Sequence, residues 1–197
     1  LPSIALAALP NAVARFLKMR PGVRFDLQTV HHDDLLGKLY ERETDIAIAN
    51  ETPRGAPLGQ HWLGEGELVV LYREEDMPDA PSRLELAQLA ERPFITLAAS
   101  GPIGRIFSDE VERLGVELNE VASARTFYIA AALVRAGVGL TIVDSFTAEA
   151  CMAPGLAMRS LKPPIAFDVH AIHLLDRPPT ALASEFLAVL GDVIEGR

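Results

Sequence analysis

The residues of this chain that could do chemistry are few, and most stand where an element begins. Ser3 opens an apolar stretch. Its hydroxyl and the N–H groups after it can accept a carboxylate, because the first N–H groups of a helix lack a partner inside it. The same serine would equally make an ordinary helix cap. Ser100-Gly101-Pro102-Ile103 repeats the theme. Glycine allows close backbone approach and Pro102 suits a first helical turn, as both would in a plain loop-to-helix junction. His31-His32-Asp33-Asp34 carries metal-ligand residue types, but adjacent side chains at a strand end point apart and rarely converge on one ion. His170 and His173 are separated by an odd number of residues, which puts them on opposite strand faces. Asn50 and Glu51 follow the apolar run 46–49. Glu51 can pair with an ammonium group or stand as a solvated acid. Thr126 and Phe127 begin a helix, either as ligand-facing residues or as cap and core, with Arg125 just before them. The serines lack a nucleophile-elbow sequence, and Gly137-Val138-Gly139 follows a helix and precedes a strand, the reverse of dinucleotide-binding order. The expectation is binding rather than catalysis, with no cofactor and no metal.

The elements that must position these residues can be read from periodicity. Leu6, Leu9, Val13, Phe16 and Leu17 recur at helical spacing, opposite Arg15 and Lys18, and Pro21-Gly22 ends that helix. Residues 23–30 alternate as a strand. Asp33 and Asp34 suit a helix start before Leu35, Leu36, Leu39 and Tyr40. Residues 46–49 read as a short strand of the kind buried in a parallel sheet. Residues 67–73 form another strand, and Ser82-Arg83-Leu84-Glu85 has the pattern of a capping box opening a helix through Leu89. Then come a strand at 94–97, a helix with Phe107, Val111 and Leu114 on one face, a helix at 126–136 closed by Gly137, and strands at 140–143, 156–161 and 167–175. A last helix at 180–194 has Leu182, Phe186, Leu190 and Val193 inward. Such alternation implies an α/β fold with right-handed crossovers. The theme occurs twice. That predicts two lobes, 1–71 plus 174–197 and 72–173, joined by two crossing strands at 67–73 and 169–175. Ligands in such folds bind outside the carboxyl ends of strands, between the lobes.

Composition narrows the function classes. A chain of 197 residues that is 49% hydrophobic can build a sizeable core. The net charge is −9 and the basic residues are scattered, so any DNA contact is expected outside this chain. The single cysteine, Cys151, excludes an internal disulfide and a multi-cysteine zinc site, which suits a reducing cytoplasm. No apolar run approaches the roughly 18–20 residues of a membrane span, so no membrane partner is expected. Leu1 is not a natural start, and the chain reads as a piece cut from something longer.

The order of these segments resembles the effector-binding domain of LysR-type transcriptional regulators. The resemblance rests on Ser3-Ile4-Ala5-Leu6 through Pro10, Pro21-Gly22-Val23, Thr44-Asp45-Ile46-Ala47, Leu68-Val69-Val70-Leu71, Arg92-Pro93-Phe94-Ile95 and Ala132-Leu133-Val134-Arg135-Ala136-Gly137-Val138-Gly139-Leu140. It covers nearly the whole chain, and the ordered set is more specific than any piece. Asp144 departs from the proline of the commonest pattern, and Asp144-Ser145-Phe146-Thr147 is similar to members that respond to amino acids and opines. The resemblance implies a type 2 periplasmic-binding-protein fold that senses a small carboxylate or amino acid in a cleft between lobes. It implies effector contacts at Ser3, Ile4, His32, Asn50, Glu51, Ser100, Gly101, Pro102, Ile103, Thr126 and Phe127. It further implies a homodimer or tetramer in a cytoplasmic full-length protein. There a winged helix-turn-helix domain before Leu1 binds DNA. A solute-binding protein serving a transporter is the rival that shares this fold.

Overall fold

The computed structural model describes residues 2–53, 56–97 and 101–196. In chain order the elements are α1 (Pro2–Ala7), α2 (Leu9–Met19), a 3-10 turn (His32–Asp34), α3 (Leu35–Tyr40), β1 (Ala47–Ala49), β2 (Leu58–Arg73), β3 (Arg83–Leu84), β4 (Phe94–Leu97), α4 (Gly101–Leu114), β5 (Glu120–Ala124), α5 (Phe127–Arg135), β6 (Thr141–Asp144), α6 (Ser145–Cys151), β7 (Leu156–Leu161), β8 (Ala166–Leu174) and α7 (Ala181–Glu195). They group into two compact units, Leu1–Glu65 with Phe167–Arg197, and Gly66–Ala166. The chain passes from one to the other along β2 and back at the start of β8. Both changes of unit come earlier than the expected 71/72 and 173/174. The reason is pairing: from Leu68 onward β2 is laddered to β6 and β7, whereas β8 is laddered to β1.

In the discontinuous unit, α2 packs against α7, and Phe16, Phe25 and Phe186 meet with ring centroids 4.8–6.0 Å apart. Full burial of a ring such as Phe16 contributes about 1.5–3 kcal/mol, the half-buried Phe25 and Phe186 less, and the edge-to-face contacts add about 0.5–1.5 kcal/mol per pair. A second cluster joins Leu35 and Leu39 of α3 to Ala49, Ile172 and Leu174. Several expectations are corrected here. The first helix is two helices, because Pro10 has no N–H to donate back to the preceding turn and instead starts α2. Residues 23–30 keep the half-buried alternation of Val23 and Phe25 but form no strand; no ladder partner lies beside them among the described residues. The strand expected at 46–49 is Ala47–Ala49, and it pairs antiparallel with β8, not parallel. In α7 the buried residues are Leu187, Val189, Leu190 and Ile194, while Leu182 is 43% exposed. The helix begins after Thr180, whose hydroxyl accepts from the Ala183 amide, so Leu182 falls in an outward first turn.

In the continuous unit, β2 is antiparallel to β6 and to β7, with Leu71 opposite Thr141 and Met158. Strands β4 and β5 are parallel, joined through α4 as a strand–helix–strand unit requires. Ala130, Ala131 and Val134 of α5 are buried with Val69, Leu71, Ile95 and Val143. Gly137 has φ +80°, the left-handed geometry of a residue just past a helix end. Gly139 lets the backbone pass against Pro93, where Leu140 N donates to the Pro93 carbonyl at 2.9 Å. The capping-box expectation is displaced by three residues: Arg83 and Leu84 pair with β7. The box forms one turn on, where the Gln88 side chain accepts from the Glu85 amide at 2.8 Å. Asp144 is fully buried, and its carboxylate accepts from the Thr147 amide and hydroxyl, capping α6. No helix among the described residues is long and apolar enough to cross a membrane.

Candidate functional site

Ser3 does not cap its helix. It lies inside α1, 2% exposed, beside Ile4 at 1%. Its hydroxyl therefore belongs to the inner face of a six-residue helix rather than to a free helix start. His32 is half-buried at the head of the 3-10 turn that leads into α3. Asn50 follows β1 directly, past the last ladder pair, Ala49 with His170. Both atoms of the Asn50 amide, Oδ1 and Nδ2, are buried without a hydrogen-bond partner among the described residues. Glu51, half-buried, follows it.

His170, set aside in the sequence as a metal ligand, is a further candidate. Its Nδ1 is also buried without a partner among the described residues. Residues opposite each other in a ladder share a face, so His170 stands with Ala49 on the side of the strand pair that α3 covers. That is the element His32 leads into. The available signal was a pair of histidines in an otherwise apolar half of a strand. His173 does something else: it is buried, its Nδ1 lies 2.8 Å from the Leu174 carbonyl, and it stacks on His61 at 5.4 Å.

In the other unit Ser100 lies outside the described residues. Gly101, Pro102 and Ile103 open the 14-residue helix α4, with Gly101 at φ +70° and both Pro102 and Ile103 buried. Those two side chains pack inward, leaving only backbone at this helix start for a ligand. Thr126 caps α5, its hydroxyl accepting from the Ile129 amide at 3.4 Å. Phe127 packs on the core, while Tyr128 and Ile129 point out, Ile129 being 52% exposed. This exposed apolar turn adds two candidates the sequence did not single out. Partial burial, then the nearby Asp144 and Cys151 charges, push the Tyr128 phenol above its usual value. Among the described residues no three histidine, cysteine or acidic side chains gather in a way that could hold a metal ion.

In the discontinuous unit these candidates offer amide, imidazole and carboxylate groups, and in the continuous unit the hydroxyl of Thr126 and the phenol of Tyr128, groups of the kind that fix a small polar ligand. The family model described as the LysR substrate binding domain matches residues 1–195. The HTH-type transcriptional regulator DgcR of Pseudoalteromonas sp is 30% identical over 193 residues, which is 98% of this chain and 66% of DgcR. The chain thus spans about two thirds of that relative's length. HinK, a LysR family transcriptional regulator from Pseudomonas aeruginosa, superposes with a TM-score of 0.83 at 20% identity, over 98% of this chain and 67% of HinK. The CcmR regulatory domain of Synechocystis PCC6803, solved in complex with 2-PG, gives 0.81 at 18% identity, over 95% of this chain and 91% of that one.

Proposed function

Because the chain belongs to the LysR substrate binding domain family, with the type 2 periplasmic-binding-protein-like fold of LysR effector-binding domains, we propose that it senses a small carboxylate or amino acid for a transcriptional regulator. The effector contacts lie at Asn50, His32 and Glu51 in the discontinuous unit, and the starts of α4 and α5 are candidates in the continuous one. The observation that carries this reading is Asn50. A buried amide without a partner costs about 1–3 kcal/mol per group, so such groups are kept where a ligand satisfies them. An amide both donates and accepts, which matches a carboxylate beside an ammonium or hydroxyl. No catalytic step is assigned.

The regulatory mechanism is differential binding. An effector shifts an arrangement only by as much as it prefers that arrangement. In this reading the domain works in the cytoplasm as a homodimer. Leu6, Leu17 and Met19 leave apolar surface outward on α1 and α2 for that purpose, facing residues 103–114 of a second copy. DNA is read by a separate domain, consistent with the −9 charge here. A relative that is an HTH-type regulator favours this reading over a transporter's solute receptor.

The test is native mass spectrometry of the purified chain for a co-purified acid, followed by calorimetry with amino acids and organic acids. One saturable carboxylate ligand is expected. A folded chain that carries none and binds no member of the panel would overturn the reading.

A further inference from the structure

A cavity of about 190 Å3 lies wholly within the discontinuous unit, between the end of α3, the approach to β1 and the turn from β8 into α7. It contains none of the residues assigned above to the effector. Leu39, Ile46 and Leu174 line it with Pro178 and Pro179, giving apolar surface. Two opposite charges, Asp45 and Arg177, line the same space. Neither is committed elsewhere. Among the described residues the Asp45 carboxylate has no ion-pair or hydrogen-bond partner. Arg177 has only a loose 3.8 Å contact with Asp176, which is 81% exposed. Exposed pairs of that kind are worth about 0–1 kcal/mol. The Arg177 backbone is fixed by its amide donating to the Leu174 carbonyl at 2.9 Å, so the guanidinium is presented from a closed turn.

We propose that this cavity is a binding site for a small zwitterion of amino-acid size, whose carboxylate pairs with Arg177 and whose ammonium pairs with Asp45 over an apolar floor. Arginine presents a fork of donors that matches a carboxylate, and charge-assisted hydrogen bonds are the strong ones. The first turn of α7 adds favourable dipole on the carboxylate side: Thr180, its cap, lines the cavity with Ala183. Size excludes larger ligands, since the volume falls below the roughly 300–1,000 Å3 of pockets for drug-sized molecules. A carboxylate alone would leave Asp45 repelling it, and an amine alone would leave Arg177 unpaired. The site therefore selects for both charges on one short frame.

The test uses the whole chain and three probes of one frame: leucine, 4-methylpentanoate (leucine without its amine) and isoamylamine (leucine without its carboxylate). Amide chemical shifts are followed at millimolar probe, with affinities from the titrations. Leucine is expected to shift Asp45, Ile46, Arg177 and Ala183, and to bind at least about tenfold more tightly than either single-charge analogue. Arg177→Gln and Asp45→Asn should each weaken leucine by about tenfold or more, with Arg177→Lys retaining part of the affinity. Both positions are at the surface, and an unchanged amide spectrum outside the cavity shows that the variants fold. Asn50→Leu should leave these shifts intact, which separates this site from the effector site. The proposal is overturned if leucine leaves these four residues unshifted, if the single-charge analogues bind as well as leucine, or if Arg177→Gln binds leucine unchanged.

Discussion

Replacing Asn50 with leucine separates a ligand-binding amide from a structural one. Both amide atoms are buried without a partner among the described residues. Leucine has the same branched heavy-atom skeleton, though somewhat bulkier, and removes the desolvation cost of about 1–3 kcal/mol per unpartnered group. Asn50→Leu should therefore be neutral or stabilising without ligand, raising Tm by about 2–4 °C for each kcal/mol gained in a chain of this size. Binding should move the opposite way. A hydrogen bond to a charged group is worth about 1.5–3 kcal/mol, so affinity for the acid found by calorimetry should fall about ten- to a hundredfold. The measurement is thermal unfolding with and without that acid, on wild type and variant, with Kd by calorimetry. A ligand-free Tm that drops by several degrees would make the amide a structural group. An unchanged Kd would remove Asn50 from the site. Either result refutes the reasoning.

The other predictions concern packing, titration and assembly. Gly139→Ala should cost about 1–3 kcal/mol by overpacking, because a Cβ there would sit 2.8 Å from the Pro93 carbonyl carbon and closer still to its oxygen; chemical denaturation reads it. Gly37→Ala, in open space on α3, should stabilise by about 0.5–1 kcal/mol in the same assay. Burial pushes the Cys151 thiol up, so iodoacetamide should modify it more slowly than a free cysteine at mildly alkaline pH. Tyr128 is raised as well. Both groups hold their protons more tightly when folded, so their stabilisation is complete below their unfolded pKa values and is lost as pH rises through the folded ones; Tm should fall on the alkaline side. Leu17→Glu should shift the chain toward a monomer in analytical ultracentrifugation, and a wild type that is monomeric at all micromolar concentrations would remove the dimer from the proposal. The isolated chain should not bind duplex DNA at physiological salt, as measured by fluorescence anisotropy.

What local chemistry determines was legible in the sequence. Thr126 and Thr180 announce helices that begin one residue later, because capping is decided within three residues. Gly137 closes α5 for the same reason. What depends on distant partners was not. Residues 23–30 have a strand's alternation, yet a strand needs a neighbour, and Phe25 goes to Phe16 and Phe186 instead. Ser82 through Glu85 has a capping pattern, but β7 claims Arg83 and Leu84 first. The inward face of α7 is set by α2, so the spacing of Leu182 was misleading. At the site, Asn50 was legible as the residue after a buried strand. The unsatisfied state of its amide, and of His170 Nδ1, is a tertiary fact with no trace in the pattern.

That one unit is interrupted by the other has a consequence for the order of synthesis. Phe16 and Phe25 find Phe186, and β1 finds β8, only when the final segment has been made. An entire unit, Gly66–Ala166, is translated in between. At about 5–20 residues per second the helices of the first segment wait about 8–32 s for Phe186 with their apolar faces uncovered. The continuous unit has all its strand partners at hand well before then. The later segment of this unit thus closes over the earlier one. A stop codon before α7 would be felt first by the N-terminal helices, and nascent protein shielded by a chaperone should be captured there.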